Sequence, residues 1–243
     1  CPNLDFSQGT FNGWVCKIST SQSRPSTAYK DLIWTGSTPV SGRHTIMTDI
    51  YGYDQHTCNG NPNANLALVP DGFNQSARVG NDYTMYEADC IVYQMTVDTN
   101  NALMLLHFGV VFQDPSHSAA QQPCFELRIQ DASGNLLNVG CNRYFVVCDA
   151  GIPGFIDCST QLRWRDWTTV GVSLFDLIGQ TIYIVLSSAD CGQGGHYGYG
   201  YAVGECRPME IQVQYCEGAT VARLEAPEGF VSYIWRGPNG GVV

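Results

Sequence analysis

The chain has 243 residues, with 12 lysines and arginines against 22 aspartates and glutamates, for a formal net charge of −10. That balance excludes nucleic acid and anionic membrane as extended partners, because both demand a positive surface. Eleven cysteines with no Cys-x-x-Cys spacing point to disulfides rather than zinc, and so to an oxidising, extracellular compartment.

The sequence begins at Cys1 with no leader pattern and reads as a mature or trimmed product. Cys1 is open to lipidation or to a bridge with Cys16 across a hairpin. The Asn3–Trp14 segment leads into a strand. Residues 17–63 are rich in Ser, Thr, Gly, Asn and Pro, which predicts long loops; both of the chain's lysines, Lys17 and Lys30, fall there. Residues 91–97, 103–112, 167–173 and 181–187 are β-rich and mostly apolar, the pattern of core strands in a sandwich. The longest apolar run, 103–112, is far too short to span a bilayer. Period-two alternation predicts half-buried strands at Phe125, Leu127 and Ile129 and again at Met209, Ile211, Val213 and Tyr215. Asp131-Ala-Ser-Gly-Asn135 predicts a turn that makes 124–139 a hairpin. The one helical signal is Ser173–Ile178, a single turn capped by Ser173 and stopped by Gly179. The fold class is therefore all-β, a disulfide-rich β-sandwich of jelly-roll type over residues 1–215. Residues 216–243 read as the first strands of a second domain that continues beyond this chain, with Cys216 left over for a partner in its missing part.

Asp190–Cys206, DCGQGGHYGYGYAVGEC, packs glycines, three tyrosines and His196 between two cysteines. If the segment is extended, Tyr197, Tyr199 and Tyr201 share one face. They then form either a binding surface or a core row with the glycines outside. Trp34 joins them as a candidate for stacking on sugar rings, whereas Trp14 and Trp167 belong to strand patterns and to the core. Cys191 and Cys206 are expected to clamp the loop, by proximity, as Cys1 and Cys16 would clamp the first hairpin. A further bridge is expected among Cys124, Cys141, Cys148 and Cys158.

Catalytic signals are weak. His44, His117 and His196 show neither i, i+4 nor HxH spacing, and each reads as a backbone tie before it reads as a ligand. Asp114, Glu126, Asp166 and Asp190 offer carboxylates but no pair stands out. GxSxG and HExxH are absent. The expected protein is thus not an enzyme; a hydrolase using His196 with Asp190 or Asp114 is the weakest reading. Oxygen-bearing loop residues (Asp49, Asp54, Asn59, Asn61, Asn63, Asp71, Asn81, Asp82) suit one structural calcium, with Asp5, Glu210 and Asp190 as candidate ligands. Asn74-Gln-Ser76 is a glycosylation sequon in a eukaryotic host.

Several phrases resemble a domain of large surface proteins of gliding bacteria of the Bacteroidetes group. They are residues 3–14, Arg43-His-Thr-Ile46, Gln113-Asp-Pro-Ser-His117, Gln122-Pro123, Asp166-Trp-Thr-Thr169 and the 190–199 phrase. Cys216-Glu-Gly with 230–235 resembles the opening of the immunoglobulin-like or PKD-like repeats that follow such domains. The opening also resembles MAM and carbohydrate-binding jelly rolls, except that Ser7 stands where an acid is common. The resemblance implies an exported, type IX-secreted module at the cell surface, acting in adhesion, gliding motility or surface-fibre assembly. Its implied partners are the secretion machinery, neighbouring domains of one long chain and an extracellular ligand. The alternative is a carbohydrate-binding module of a secreted glycan-degrading protein.

Overall fold

The computed structural model describes residues 1–21, 29–57, 65–148, 153–158, 161–214, 220–227, 230 and 232–242. The apolar runs become the long central strands, because a strand covered on both faces has no solvent side to alternate towards. Four of them are β4 (Glu87–Thr96), β5 (Leu103–Gln113), β9 (Leu162–Ser173) and β10 (Thr181–Ala189). They are joined by β1 (Trp14–Thr20), β2 (His44–Met47), β3 (Ser76–Val79), β6 (Cys124–Gln130), β7 (Arg143–Val147), β8 (Phe155–Asp157) and β11 (Gly198–Arg207). The first sheet has the order β1-β4-β10-β6-β7 and the second β2-β3-β11-β5-β9-β8, with every pair antiparallel. The β-sandwich expected from the sequence is thus the fold observed.

Alternate residues of both sheets meet in one core that includes Trp14, Cys16, Ile91, Phe108, Phe112, Phe125, Leu127, Ile184 and Leu186. Phe6 stacks on Trp14 at 5.0 Å between ring centroids. β11 presents glycines to the facing layer: a Cβ at Gly200 would lie 2.6 Å from the Phe125 ring, and one at Gly198 2.7 Å from Pro123. No side chain fits there, so the glycines of the Gly-Tyr-Gly-Tyr run face inward and the tyrosines face out.

Three local expectations change. The return strand of the 124–139 hairpin is deferred. Asp131 Oδ1 accepts the amides of Ser133 (2.8 Å) and Asn135 (2.9 Å), closing the turn. Residues 136–139 then make only the bridge Gln130↔Leu136, and the strand that pairs β6 is β7. The helical turn is a 3-10 turn at Phe175–Leu177, ended by Gly179 at φ +87°; Ser173 closes β9 instead of capping it. The alternating 209–215 segment yields the short β12 (Gln212–Gln214), which pairs with β13 (Arg223–Glu225) in a sheet of its own. Cys216 and Val231 lie outside the described residues.

The disulfide expectations are corrected. Cys1 pairs with Cys206, with Cα atoms 5.8 Å apart. Residues 1–13 are turns, not a hairpin strand, and they carry Cys1 to the end of β11, where Gly204 N donates to Leu4 O (3.2 Å). Cys16 instead points from β1 into the core as a thiol. Cys191 is also a thiol, at the opposite end of β11. A strand from 198 to 206 covers roughly 25 Å, far beyond the ~7 Å a disulfide spans. Of the four cysteines expected to share a further bridge, Cys124, Cys141 and Cys148 are thiols, and Cys158 is disulfide-bonded but to none of these three. Among the described residues no helix is long and apolar enough to cross a membrane.

Candidate functional site

The outer face of the second sheet carries the tyrosine row. Tyr197, Tyr199 and Tyr201 stand side by side, with neighbouring ring centroids 5.8 and 5.9 Å apart. They are nevertheless buried, at 6 %, 1 % and 1 % exposure. The segments 49–57 and 65–69 fold over them. Asp54 N donates to Leu66 O (2.8 Å) and Leu68 N to Gly52 O (2.9 Å), so the cover is itself bonded into a flap. Leu66 presses on Gly109, where a Cβ would meet it at 2.8 Å. Beneath the flap one buried carboxylate joins it to the row: Asp54 Oδ2 accepts the hydroxyls of Tyr199 (2.8 Å) and Tyr201 (2.6 Å). Burial, followed by the Asp54 charge, raises both tyrosine pKa values well above the ordinary phenol range and pushes Tyr197 up to about 12. The row forms a second core with Leu66, Val111 and Trp164, and Tyr199 and Tyr201 also border a cleft of about 230 Å3 with Met47, Asp54, Leu68 and Arg78. The row is neither the open binding surface nor the inward-facing core row that the sequence left open.

The other histidine and acid candidates are also committed. His196 Nδ1 sits 3.7 Å from Cys191 Sγ and its ring meets His117 edge-on at 5.6 Å. Burial, then His117, lowers its pKa, with Asp114 opposing. Asp190 spends both oxygens on backbone, Oδ2 on Glu87 N (2.8 Å) and Oδ1 on Gly198 N (3.2 Å). Asp114 binds Arg163 (2.9 Å), Gln122 (2.8 Å) and Ser116 N (2.7 Å). Neither carboxylate is hydrogen-bonded to His196, so the histidine has no acid to orient it as a base. His44 is buried on β2, where its Nδ1 accepts Val40 N (3.2 Å). The candidate calcium ligands do not converge: Asp5 turns back on Ser7 (2.8 Å to Oγ), Asp190 is used as above, and Glu210 borders a groove with Pro208 and Pro227. Among the described residues no three His, Cys, Asp or Glu side chains share a metal-binding position, and Asn59, Asn61 and Asn63 lie outside them.

Trp34 leads to a different place, the outer face of the first sheet. The turn Tyr29–Asp31 and residues 32–35 cross that face and are fastened to it. Ile18 and Thr35 exchange backbone hydrogen bonds (2.9 Å each), and Glu126 Oε2 accepts Tyr29 N (2.9 Å). Trp34 Nε1 donates to Tyr29 O (3.0 Å), and the two rings stack at 5.1 Å and 23°. Together they cover Cys90, Val92 and Val185, the apolar residues this face would otherwise expose. Alongside them runs an open groove of about 500 Å3, bordered by Val15 and Lys17 of β1, Val92 of β4, Tyr183 of β10, Arg128 and Gln130 of β6, and the Asp131–Gly134 turn.

The polar groups of this groove are held in place. Arg128 donates from Nη1 to Glu126 (3.1 Å), from Nε to Gln130 (3.3 Å) and from Nη2 to Gly134 O (3.4 Å), and lies over the Tyr29 ring at 5.6 Å. Burial is the main cause that raises the Tyr29 hydroxyl to about 12, while the Gln130 hydrogen bond and Arg128 pull the other way. The result is a preformed cleft with aromatic walls and a few fixed donors and acceptors, the usual composition of a small-ligand site. Of these residues the sequence marked only Trp34 as a candidate for binding. Arg128, Gln130 and Tyr183 come from strands far apart in the chain, and no local motif marks them.

No protein-family profile matches the chain, and no curated protein matches it. Among solved structures, it is similar to TmCBM61 in complex with β-1,4-galactotriose (10 % identity, 85 % of this chain and 97 % of that one, TM-score 0.38). It is also similar to CBM27-1 of Caldicellulosiruptor saccharolyticus in complex with mannohexaose (12 % identity, 84 % and 95 %, TM-score 0.39). A third, described among promiscuous carbohydrate-binding modules of the β-sandwich superfamily, shares 8 % identity over 83 % of this chain and 60 % of that one, with a TM-score of 0.34. At these scores none of them assigns a ligand or a function to this chain.

Proposed function

We propose that this is a non-catalytic, extracellular carbohydrate-binding module whose ligand lies in the Trp34 groove. One observation carries the reading: a stacked tryptophan–tyrosine pair stands beside an open cleft whose buried arginine and glutamine are already oriented. A sugar ring has an apolar C–H face and a rim of hydroxyls, so it requires a flat aromatic face with fixed polar groups beside it. The Cys1–Cys206 disulfide supports an extracellular setting. The absence of catalysis is supported by the state of the nearby carboxylates. Glu126 is buried and ion-paired to Arg128 and Arg143, and Asp131 is tied to its own turn, so neither is poised as an acid facing a base.

The test is a glycan array probed with the full chain, followed by calorimetry on whatever binds. Trp34→Ala and Tyr183→Ala are each expected to weaken binding at least about tenfold, the scale of a lost aromatic contact. Thermal melts separate this from unfolding, since both rings also pack against Cys90, Val92 and Val185. Binding by neither variant nor wild type, or unchanged binding by both variants, would contradict the proposal.

A further inference from the structure

The two lysines of this acidic chain meet at one place. Lys17 projects from the outer face of β1 and Lys30 from the turn that crosses that face, and both border the Trp34 groove together with Arg128. Neither ammonium has an ion-pair or hydrogen-bond partner among the described residues. The groove lining offers one carboxylate against these three cations, Asp131, so its formal charge is 3 − 1 = +2 in a chain of −10. Asp131 is further occupied by Ser133 and Asn135, whose hydrogen bonds keep its pKa low. Glu126, behind Arg128, is not in the lining and is shared with Arg143.

Lys17 and Lys30, unpaired among the described residues, stand beside an aromatic platform and select for negative charge on the ligand. A local positive cleft in a negative surface focuses the field, attracting an anion to that cleft and repelling it elsewhere. We infer that the groove takes an acidic glycan, with its carboxylate or sulfate groups against Lys17 and Lys30 and a sugar face on the aromatic wall. The inference rests on the glycan-binding reading of the same groove. It is compatible with the exclusion of nucleic acid, because the positive region is one cleft and not an extended surface.

Calorimetric titration of the full chain with oligomers of polygalacturonate, of carrageenan and of neutral mannan tests it. The expected result is binding of one or both acidic oligomers at least about tenfold tighter than the neutral one, weakening between ~0.05 M and ~0.5 M salt as screening shortens. The first two oligomers separate carboxylate from sulfate recognition. Lys17→Gln and Lys30→Gln, both surface changes, are each expected to cost about three- to tenfold in affinity for the acidic oligomer, as for one charge-assisted contact. Equal binding of acidic and neutral oligomers, with both lysine variants unchanged and Trp34→Ala inactive, would overturn the charge inference and leave the glycan site standing. No binding of any oligomer or array glycan would overturn both.

Discussion

The two outer faces of this sandwich carry the same kind of residue and use it oppositely. On the second sheet three tyrosines in a row are buried under residues 49–57 and 65–69, with Asp54 binding two of their hydroxyls. On the first sheet Trp34, Tyr29 and Tyr183 stand beside a cleft left open, with two lysines at its border that have no ion-pair partner among the described residues. Aromatic density therefore does not mark a binding surface. What distinguishes the faces is what lies over them: the tyrosine row is covered by residues 49–57 and 65–69, with two hydroxyls on a buried carboxylate, whereas the Trp34–Tyr29 pair borders an open cleft. A phenol whose hydrogen bond is already made to a desolvated charge has little left to offer a ligand.

The largest effect that would break this comparison is at the seal. Asp54→Ala removes the acceptor of two buried phenols and is expected to cost about 4 kcal/mol in chemical denaturation, two charge-assisted bonds at the usual scale. A loss under ~1 kcal/mol would mean that the flap is held by its backbone bonds and not by the carboxylate. Next is Gly200→Ala, whose Cβ meets the Phe125 ring at 2.6 Å between the sheets. It is expected to cost about 2 kcal/mol through overpacking, and a neutral outcome would imply that the sheets separate freely at β11.

Acidification sharpens the contrast. His44, on β2 of the second sheet, is lowered to about 4 by burial, with the Cys90 backbone hydrogen bond opposing and Arg43 assisting. Its contribution is complete above the unfolded value near 6.5 and is lost as pH falls from there towards 4. Asp89, held at 2.7 Å by Arg43, is raised to about 7 by burial, so its contribution runs the other way, present at low pH and lost as pH rises through 7. The two partly cancel in the wild type. The stability difference between wild type and His44→Gln isolates the first and is expected to shift by about 2 kcal/mol between pH 7 and 5, against the wild type at the lower pH. A constant difference would contradict the assignment of His44 as a buried neutral imidazole. The smallest effect is that of Tyr199→Phe, which removes one of the two bonds to Asp54 and is expected to cost about 1.5 kcal/mol of stability with no change in glycan affinity.

The long strands were legible because their burial is written locally, as in Leu103–Gln113 and Thr181–Ala189. Short β2 and β3 were not, since β2 forms only on β3 and β3 only between β2 and β11, far along the chain; β8 is a three-residue edge strand on β9, too short to show a period. The disulfide was misread for the same reason: Cys1 is near Cys206 only after turns carry residues 1–13 across the fold. At the site, Trp34 was visible as an aromatic in a loop, and the scarcity of lysine was visible as composition. That Lys17 and Lys30 border one cleft with Arg128 depends on a loop crossing a sheet, which no spacing encodes. The tyrosine row was correctly placed on one face. The flap that closes it is a tertiary event, hidden in a stretch that read as plain loop.

Hydrogen exchange with and without a bound glycan tests most directly which face is the ligand face. The account predicts new protection in Tyr29–Trp34, β1 and the Asp131–Gly134 turn, with residues 49–57 and 65–69 unchanged. Protection that appears in those covering segments instead, with the Trp34 region unaffected, would contradict it.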